Sequence, residues 1–507
     1  MERAAFALVV HAEFTKFRTV RGWVIALCAA AAVFVLLAYL SAWASRQPSP
    51  PVPTGPGGEA VADTYTFVHQ TLAGDGTLTA RVTSLSGAYV PVSGSPVKNF
   101  SSSERGQPGS QLQPGLAPWA KAGIIVEPGT SQGTAYAAVM VTGSHGVRMQ
   151  YDYTHDSLGL PGSVGPSSPR WLRLTRAGEV ITGYDSADGS HWTEIGTARL
   201  TGLRRAVQIG LFATSPEYFP AGATVGTSSV ATAHFDQVSV RGGLPRRSWH
   251  GGAITGSGYY RPYTPSTPAW RQPSAGTFTI TGSGDIAPLV GDIISAAWSG
   301  ASIVNGTIVA LLIVIVPATL FATSEYRRGL IRTTFAASPR RGHVLAAKAM
   351  AAGSLAFGAG AIATAIAEVI TRHVLAANGN YLFPQSGTDL ARVVIGTGLL
   401  LGLAAALAVA LGMMLRRSAP AVAAGIVLLV LPGILGSQSG NWLMRFTPTA
   451  AFAIQATLPR SGLVASSYTP PNGYFPIGPW AGLAVLSAYT AAALGAAAWL
   501  VRRRDAG

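Results

Sequence analysis

Residues 324–341 read SEYRRGLIRTTFAASPRR and follow a long apolar run. Five of these eighteen residues are arginine, and Glu325 is the one acid. Two kinds of chemistry suit such a segment. Two or three cations are enough to stop an apolar helix at a membrane face. A short helix with Arg and aromatic anchors can instead form a protein interface. Glu325 sits near a helix start, where its charge suits the helix dipole. Arg328 and Arg332 share a face, Ile331 and Phe335 lie close by, and Pro339 ends the helix. The residues alone leave the two readings level.

Other chemistry finds less support. Glycoside hydrolysis needs two carboxylates facing each other across a cleft. Asp152, Asp156, Asp185, Asp188 and Glu194 fall mainly at strand ends and turns instead. In SADGSHW, residues 186–192, Asp188 is placed to bond the turn backbone. Gly189 is placed to take a positive φ there, and Trp192 to pack. No metal-ligand cluster and no Ser/His/Asp set stands out, so no catalytic residue, metal or cofactor is expected. The sequence has no GxxxxGK[ST] loop to cradle nucleotide phosphates, so ATP hydrolysis by this chain alone is not expected.

The elements that must position these residues follow from composition. The chain has 507 residues, of which 11% are charged and 48% hydrophobic. A soluble domain usually carries about 25% charge, so the deficit points to a membrane protein. The net charge of +15 is unevenly spread. Residues 46–292 hold 17 Lys/Arg and 15 Asp/Glu, a balance of +2. Most of the remaining cations flank apolar runs, among them Arg3, Lys16, Arg18, Arg21, Lys348, Arg416, Arg417 and Arg502–Arg504. That is the positive-inside pattern rather than a nucleic-acid patch. The one cysteine, Cys28, lies in an apolar run and reads as a small packing residue.

A bilayer-spanning helix needs about 20 apolar residues. Six stretches qualify: 22–44, 301–323, 344–370, 391–415, 419–436 and 479–501. The fifth is short and contains Pro432 and Gly433, which suggests a broken or re-entrant helix. The cations then place both termini and the loop 324–343 in the cytoplasm, with 46–300 outside the cell membrane. Glu368 precedes Arg372 by four residues and reads as half of an interfacial ion pair. The N-terminal segment projects as an amphipathic helix. Phe6, Val10, Phe14 and Phe17 fill one apolar sector, as an interfacial helix against the lipid bilayer would need.

Residues 46–58, RQPSPPVPTGPGG, form a Pro/Gly linker. Beyond them the pattern changes to period two, with strands expected over 77–85, 121–128, 135–142, 146–153, 170–178, 179–186, 206–214 and 233–240. Many short strands at regular spacing imply an antiparallel sandwich. In GVRMQYDY (146–153), alternation puts Met149, Tyr151 and Tyr153 on one face. In RWLRLTR (170–176), it puts Trp171 and Arg173 opposite Leu172 and Leu174. Tyr151, Tyr153, Trp171 and Arg173 thus form a candidate ligand face for a glycan, lipid or peptide. The simpler reading is ordinary core and cross-strand pairs. Residues 243–300 read as an irregular segment with a last β element leading back to the membrane.

Two resemblances bear on these expectations. GDGTLTARV (74–82), WAKAGIIV (119–126), YAAVMVTGSHGVRMQY (136–151), WLRLTRAG (171–178), IGLFATS (209–215) and AHFDQVSV (233–240) resemble concanavalin A-like, or laminin-G-like, jelly-roll domains over residues 59–242. AEFTKFRTVRGW (12–23), SEYRRGLIRTTFAASPRRGHVLAAKA (324–349) and the RRR end resemble the permease subunits of type-2 ABC exporters over 1–45 and 300–507. The second resemblance implies a cytoplasmic ATP-binding partner subunit and a permease homo- or heterodimer. It also implies ATPase coupling through Glu325, Tyr326, Arg327, Arg328 and Phe335. The outer insertion of some 240 residues departs from that family's short first loop.

The expected fold is therefore mixed: a six-helix transmembrane bundle with an extracytoplasmic antiparallel β-sandwich inserted between the first and second spans. The expected function is export as the permease of an ABC transporter. The alternative is a membrane-anchored surface receptor or glycan-binding protein without transport.

Overall fold

The computed structural model describes residues 2–45, 52–91, 112–219, 226–245, 248–254, 268–289, 299–327, 330, 333, 334, 336, 340–433, 435, 442–457 and 475–503. The chain divides into a helical unit (1–48, 294–458 and 467–507) and a strand unit (49–293 and 459–466).

The helical unit contains α1 (Glu2–Thr19), α2 (Arg21–Ala44), α3 (Ser299–Arg327), α4 (Arg341–Ala377), α5 (Gly387–Leu415), α6 (Ser418–Leu429), α7 (Trp442–Phe446) and α8 (Pro479–Arg503), with a 3₁₀ helix at Pro448–Gln455. Val20 is extended and breaks α1 from α2. Ser386 caps α5 by accepting from the Asp389 amide at 3.1 Å, and Arg416 in the left-handed region ends it. Among the described residues, five helices are long and apolar enough to cross a membrane: α2, α3, α4, α5 and α8. The fifth expected span, 419–436, differs. Its helix α6 has twelve residues, which rise about 18 Å. A hydrocarbon core is about 30 Å thick.

The bundle core is built largely of alanine, leucine and valine. Small residues let α4 and α5 approach closely. A Cβ built on Gly402 would lie 2.8 Å from the Gly353 carbonyl oxygen. Gly398 and Gly402 stand four apart, the spacing that brings helix backbones into contact in lipid. Helix α2 buries a single stripe, Ala30, Phe34, Ala38 and Ala42. Cys28 lies off that stripe and is exposed, not packed as expected. Glu368 is buried within the bundle.

The strand unit contains β1 (Val61–Asp63), β2 (Tyr65–Tyr89), β3 (Gln113–Pro114), β4 (Lys121–Glu127), β5 (Ala137–Thr142), β6 (Val147–Tyr151), β7 (His155–Leu158) and β8 (Arg170–Ala177). It continues with β9 (Val180–Ser186), β10 (Thr193–Arg199), β11 (Ala206–Thr214), β12 (Ser229–Gly243), β13 (His250–Ile254), β14 (Trp270–Ser274), β15 (Thr277–Gly282) and β16 (Ile286–Pro288). The long strand β2 serves two layers. Its first half pairs with β11 and β13, and its second half with β8 and β12. One layer runs β13-β2-β11-β4-β5-β6-β7, and the other adds β8, β9 and β10 on one side of β2 and β12, β15 and β14 on the other. All these pairings are antiparallel.

Alternation decides the core of this sandwich. Ala122, Ile124, Val126, Val139, Leu172, Leu174, Ile209 and Leu211 meet between the layers. Ile125, Ala138, Met140 and Phe212, from the same strands, form a second cluster with Tyr65, Tyr136 and Tyr153. The boundary expected at residue 242 cuts through one body. Phe278 and Ile280 of β15 sit in the main core, and β16 pairs with β1.

Candidate functional site

Helix α1 turns one face onto the bundle. Glu13 and Phe17 are buried there, Phe6, Val9, Val10 and Phe14 are half-buried, and Ala7, Leu8, His11, Thr15 and Lys16 are exposed. A carboxylate therefore sits in the middle of a packed face. Three further charged groups account for it. Lys348, fully buried on α4, donates to Glu13 Oε2 at 2.8 Å and to Glu325 Oε1 at 2.7 Å. Lys16, half exposed, donates to Glu13 Oε1 at 2.8 Å and to Glu325 Oε1 at 3.1 Å. Two cations and two anions cancel. Burying charge costs least when it is paired and hydrogen-bonded in this way. Burial lowers the Lys16 pKa, but Glu13 and Glu325 outweigh it and raise the value above the ordinary lysine range.

Aromatic rings roof the quartet. Lys348 Nζ lies 4.6 Å from the Phe321 ring centroid, a cation–π contact. Phe17, Trp23 and Phe321 form a triangle with centroids 5.1 to 5.6 Å apart. Glu325 Oε2 is buried with no hydrogen-bond partner among the described residues. The quartet thus ties α1 to the last turn of α3 and the first turns of α4. Those are the two helices that bound the segment 328–340.

The expected site residues fall as follows. Glu325 lies inside the quartet and is 7% exposed, so its carboxylate is not offered to a partner. Tyr326 is half-buried, with the Arg416 guanidinium 5.4 Å from its ring. Arg327 ends α3, and Arg328 and Phe335 lie outside the described residues. The apolar sector expected on α1 splits. Phe17 is 3% exposed and packs within the bundle, which corrects its assignment to a lipid-facing sector. Phe6 meets His343 edge-on at 5.3 Å. Phe6, Val10 and Phe14 line an open groove of about 790 Å³ with His11, Arg18 and Met350. The physical reason is the pairing of Glu13, which lets a charged position face inward and rotates the packed face towards it.

The candidate ligand face of the strand unit does not assemble as one surface. Tyr151 packs on the main core and stacks on His155 at 4.2 Å. Tyr153 is buried in the second cluster. Both Asp152 and Tyr153 take positive φ, which breaks the alternation after β6 and sends the two tyrosines to opposite sides of the layer. Trp171 and Arg173 do share the outer side of β8. Arg81 lies 5.6 Å from the Trp171 ring, and Arg173 3.6 Å from the Trp192 ring. In the adjoining turn, Asp188 Oδ1 accepts from the Ser190 and His191 amides at 2.8 Å, and Gly189 has a φ of +80°. The His191 side chain, followed by these amides, holds the Asp188 carboxyl below its ordinary pKa.

Sequence reasoning missed Glu13, Lys16 and Lys348 as partners of Glu325. Their signal was present: single charges of opposite sign set among apolar residues beside the first three apolar runs. No group of three or more His, Cys, Asp or Glu is placed to hold a metal ion among the described residues.

No family model matches the chain, and no curated protein matches it. Two solved structures share weak likeness. One is a functionally unknown protein from Saccharomyces cerevisiae, 17% identical, covering 39% of this chain and 85% of that one, with a TM-score of 0.24. The other is scytalido-glutamic peptidase with a transition state analog inhibitor, 9% identical, covering 44% of this chain and 98% of that one, with a TM-score of 0.24. Likenesses of that size assign no activity.

Proposed function

We propose that the chain is a multi-pass cell-membrane permease subunit of an ABC-type exporter, driven by a separate cytoplasmic ATP-binding subunit. The observation that carries this reading is the quartet Glu13–Lys16–Glu325–Lys348. It links the N-terminal helix to both helices that bound the arginine-rich loop. A partner that displaced this loop would move α1, α3 and α4 together, because breaking the quartet strands buried charge. In this reading both termini and the loop are cytoplasmic. The five long apolar helices cross the membrane, the broken segment that begins with α6 makes the sixth crossing, a second permease chain completes the pathway, and the strand unit lies outside. There the Trp171–Arg173 side of β8 is the surface offered to a ligand or partner.

The test is purification of the full-length chain with its co-purifying subunits, followed by vanadate-sensitive transport. An ATPase should co-purify. The double reversal Arg327→Glu/Arg328→Glu should abolish stimulation of that ATPase while membrane insertion stays normal. Full stimulation in the double variant, or a chain that inserts and exports without any ATPase, would refute the proposal.

A further inference from the structure

The strand unit buries a second set of ionisable groups. β1 is the first strand of this unit in the sequence and β16 the last. These short strands pair antiparallel, with Val61 opposite Pro288 and Asp63 opposite Ile286. They form a two-stranded ribbon whose Val61 and Ile286 pack in the second cluster, on the outer face of the β2-β11-β4-β5 layer. The approach to the ribbon is folded too: the Gly55 amide donates to the Glu59 carbonyl at 2.8 Å, and the Val61 amide to the Pro53 carbonyl at 3.0 Å. The latter half of the expected linker 46–58 is therefore part of the fold.

Polar groups hold the ribbon down. Lys121 on β4 is fully buried and donates to Asp285 Oδ1 and to the Ile286 carbonyl, both at 2.6 Å. That pair is self-neutralising. Asp63 and Glu127 are different. Both are buried, and neither has a cationic partner among the described residues. Asp63 Oδ2 accepts from the Gly133 amide at 2.8 Å, and the Tyr153 hydroxyl lies beside it. Glu127 Oε2 accepts from the Tyr65 hydroxyl at 2.8 Å. Glu127 Oε1 and the Tyr136 hydroxyl are buried without a hydrogen-bond partner. Such unpaired atoms carry the full desolvation penalty while the nearby acids are charged.

We propose that the β1–β16 ribbon is a proton-gated clamp, seated firmly while Asp63 and Glu127 hold protons and loosened when they ionise. Two like charges sharing a dry site cannot both ionise without cost, and the Asp63 charge opposes ionisation of Glu127. Burial, opposed by the Gly133 amide and Tyr153, pushes Asp63 up to about 6. Burial pushes Glu127 well above its ordinary range, and the Asp63 charge adds to the effect.

The surrounding groups do not offset this. From β2 comes Tyr65, and from the start of β5 Tyr136; burial raises both phenols well above their ordinary value, so they stay neutral. The turn after β6 brings Tyr153, also raised, and Asp152, raised by burial and set between Glu59 and His155. From β4 comes Lys121, which Asp285 already occupies. Burial raises Asp285 as well, and Lys121 opposes that rise. Thus Asp63 titrates between the acidic and neutral ranges with no local cation to take over.

The test is hydrogen exchange on the full-length protein in lipid nanodiscs, corrected for intrinsic exchange, at about pH 4, 5, 6 and 7.5. A pKa raised from 3.8 to about 6 predicts that protection of residues 61–63, 286 and 287 falls by roughly a hundredfold from the acidic to the neutral end. Protection of 207–211, on β11 in the main core, should change far less. Asp63→Asn should flatten the dependence, and Glu127→Gln should reduce it. Wild-type protection that changes less than threefold refutes the clamp. So does an Asp63→Asn protein that keeps the full wild-type dependence. If that variant does not fold, Glu127→Gln and the wild-type profile decide.

Discussion

Lys348 is the sharpest place to test the quartet. Its amine touches two carboxylates at 2.7 and 2.8 Å and is fully buried. Lys348→Met keeps most of the side-chain volume and removes the charge. The quartet then goes from net zero to −1, since Lys16 remains against Glu13 and Glu325. Removing one partner of a buried ion pair costs about 3–5 kcal/mol. For a body of this size each kcal/mol moves the melting midpoint by about 2–4 °C, so a fall of roughly 6–20 °C is expected. Adding Glu325→Gln returns the site to net zero, with Lys16 against Glu13. The double variant should therefore be more stable than Lys348→Met alone, and the coupling between the two positions should reach about 0.5–3 kcal/mol, the range measured between contacting residues. Thermal unfolding of the full-length protein in one detergent, run as a complete double-mutant cycle, reads this directly. If the two single effects add within about 0.5 kcal/mol, the four groups are not one coupled unit and the reasoning fails. In the exporter reading, the same cycle should appear in ATPase stimulation: lost with Lys348→Met and partly restored in the double variant.

Four further outcomes follow from the geometry. Asp63 has a folded pKa of about 6 against an ordinary 3.8, so its folded state binds the proton more tightly. Its stability contribution is fully present below 3.8 and is lost as pH rises through about 6. At 1.36 kcal/mol per pH unit, that difference is about 3 kcal/mol, and urea unfolding of wild type against Asp63→Asn should show it. Gly402→Ala should destabilise by about 1–3 kcal/mol, because its Cβ would meet the Gly353 carbonyl oxygen at 2.8 Å. Gly358→Ala on α4, with nothing within 4 Å of the added carbon, should be neutral or stabilising in the same melting assay. Arg173→Ala removes a guanidinium 3.6 Å from the Trp192 ring and should cost only about 0.5–1 kcal/mol, which leaves the folded unit available for ligand-binding assays.

Where a residue's environment is set by its own strand, the sequence revealed it. Leu172 and Leu174 point inward and Trp171 and Arg173 outward because period two follows from strand geometry alone. The Asp188–Gly189 turn was legible for the same reason, since its bonds run between residues two or three apart. Legibility failed where a distant partner decides. Tyr153 leaves the face of Tyr151 because two residues adopt positive φ, and Asp152 is held there by the Tyr136 amide. The ribbon strands β1 and β16 have three residues each, too few for any period to show. Glu13 is the clearest case: it lies outside the Phe6, Val10, Phe14 and Phe17 sector expected to be the packed side of α1, yet it is buried. Its partners lie 312 and 335 residues along the chain, at Glu325 (through the bridging lysines) and Lys348. No local pattern carries that information. What the sequence could have offered is a sum: two lone acids and two lone lysines, each beside an apolar run and none with a complete set of partners within a helical turn. An isolated buried charge is too costly to keep, so the four could be placed in the interior only by placing them together.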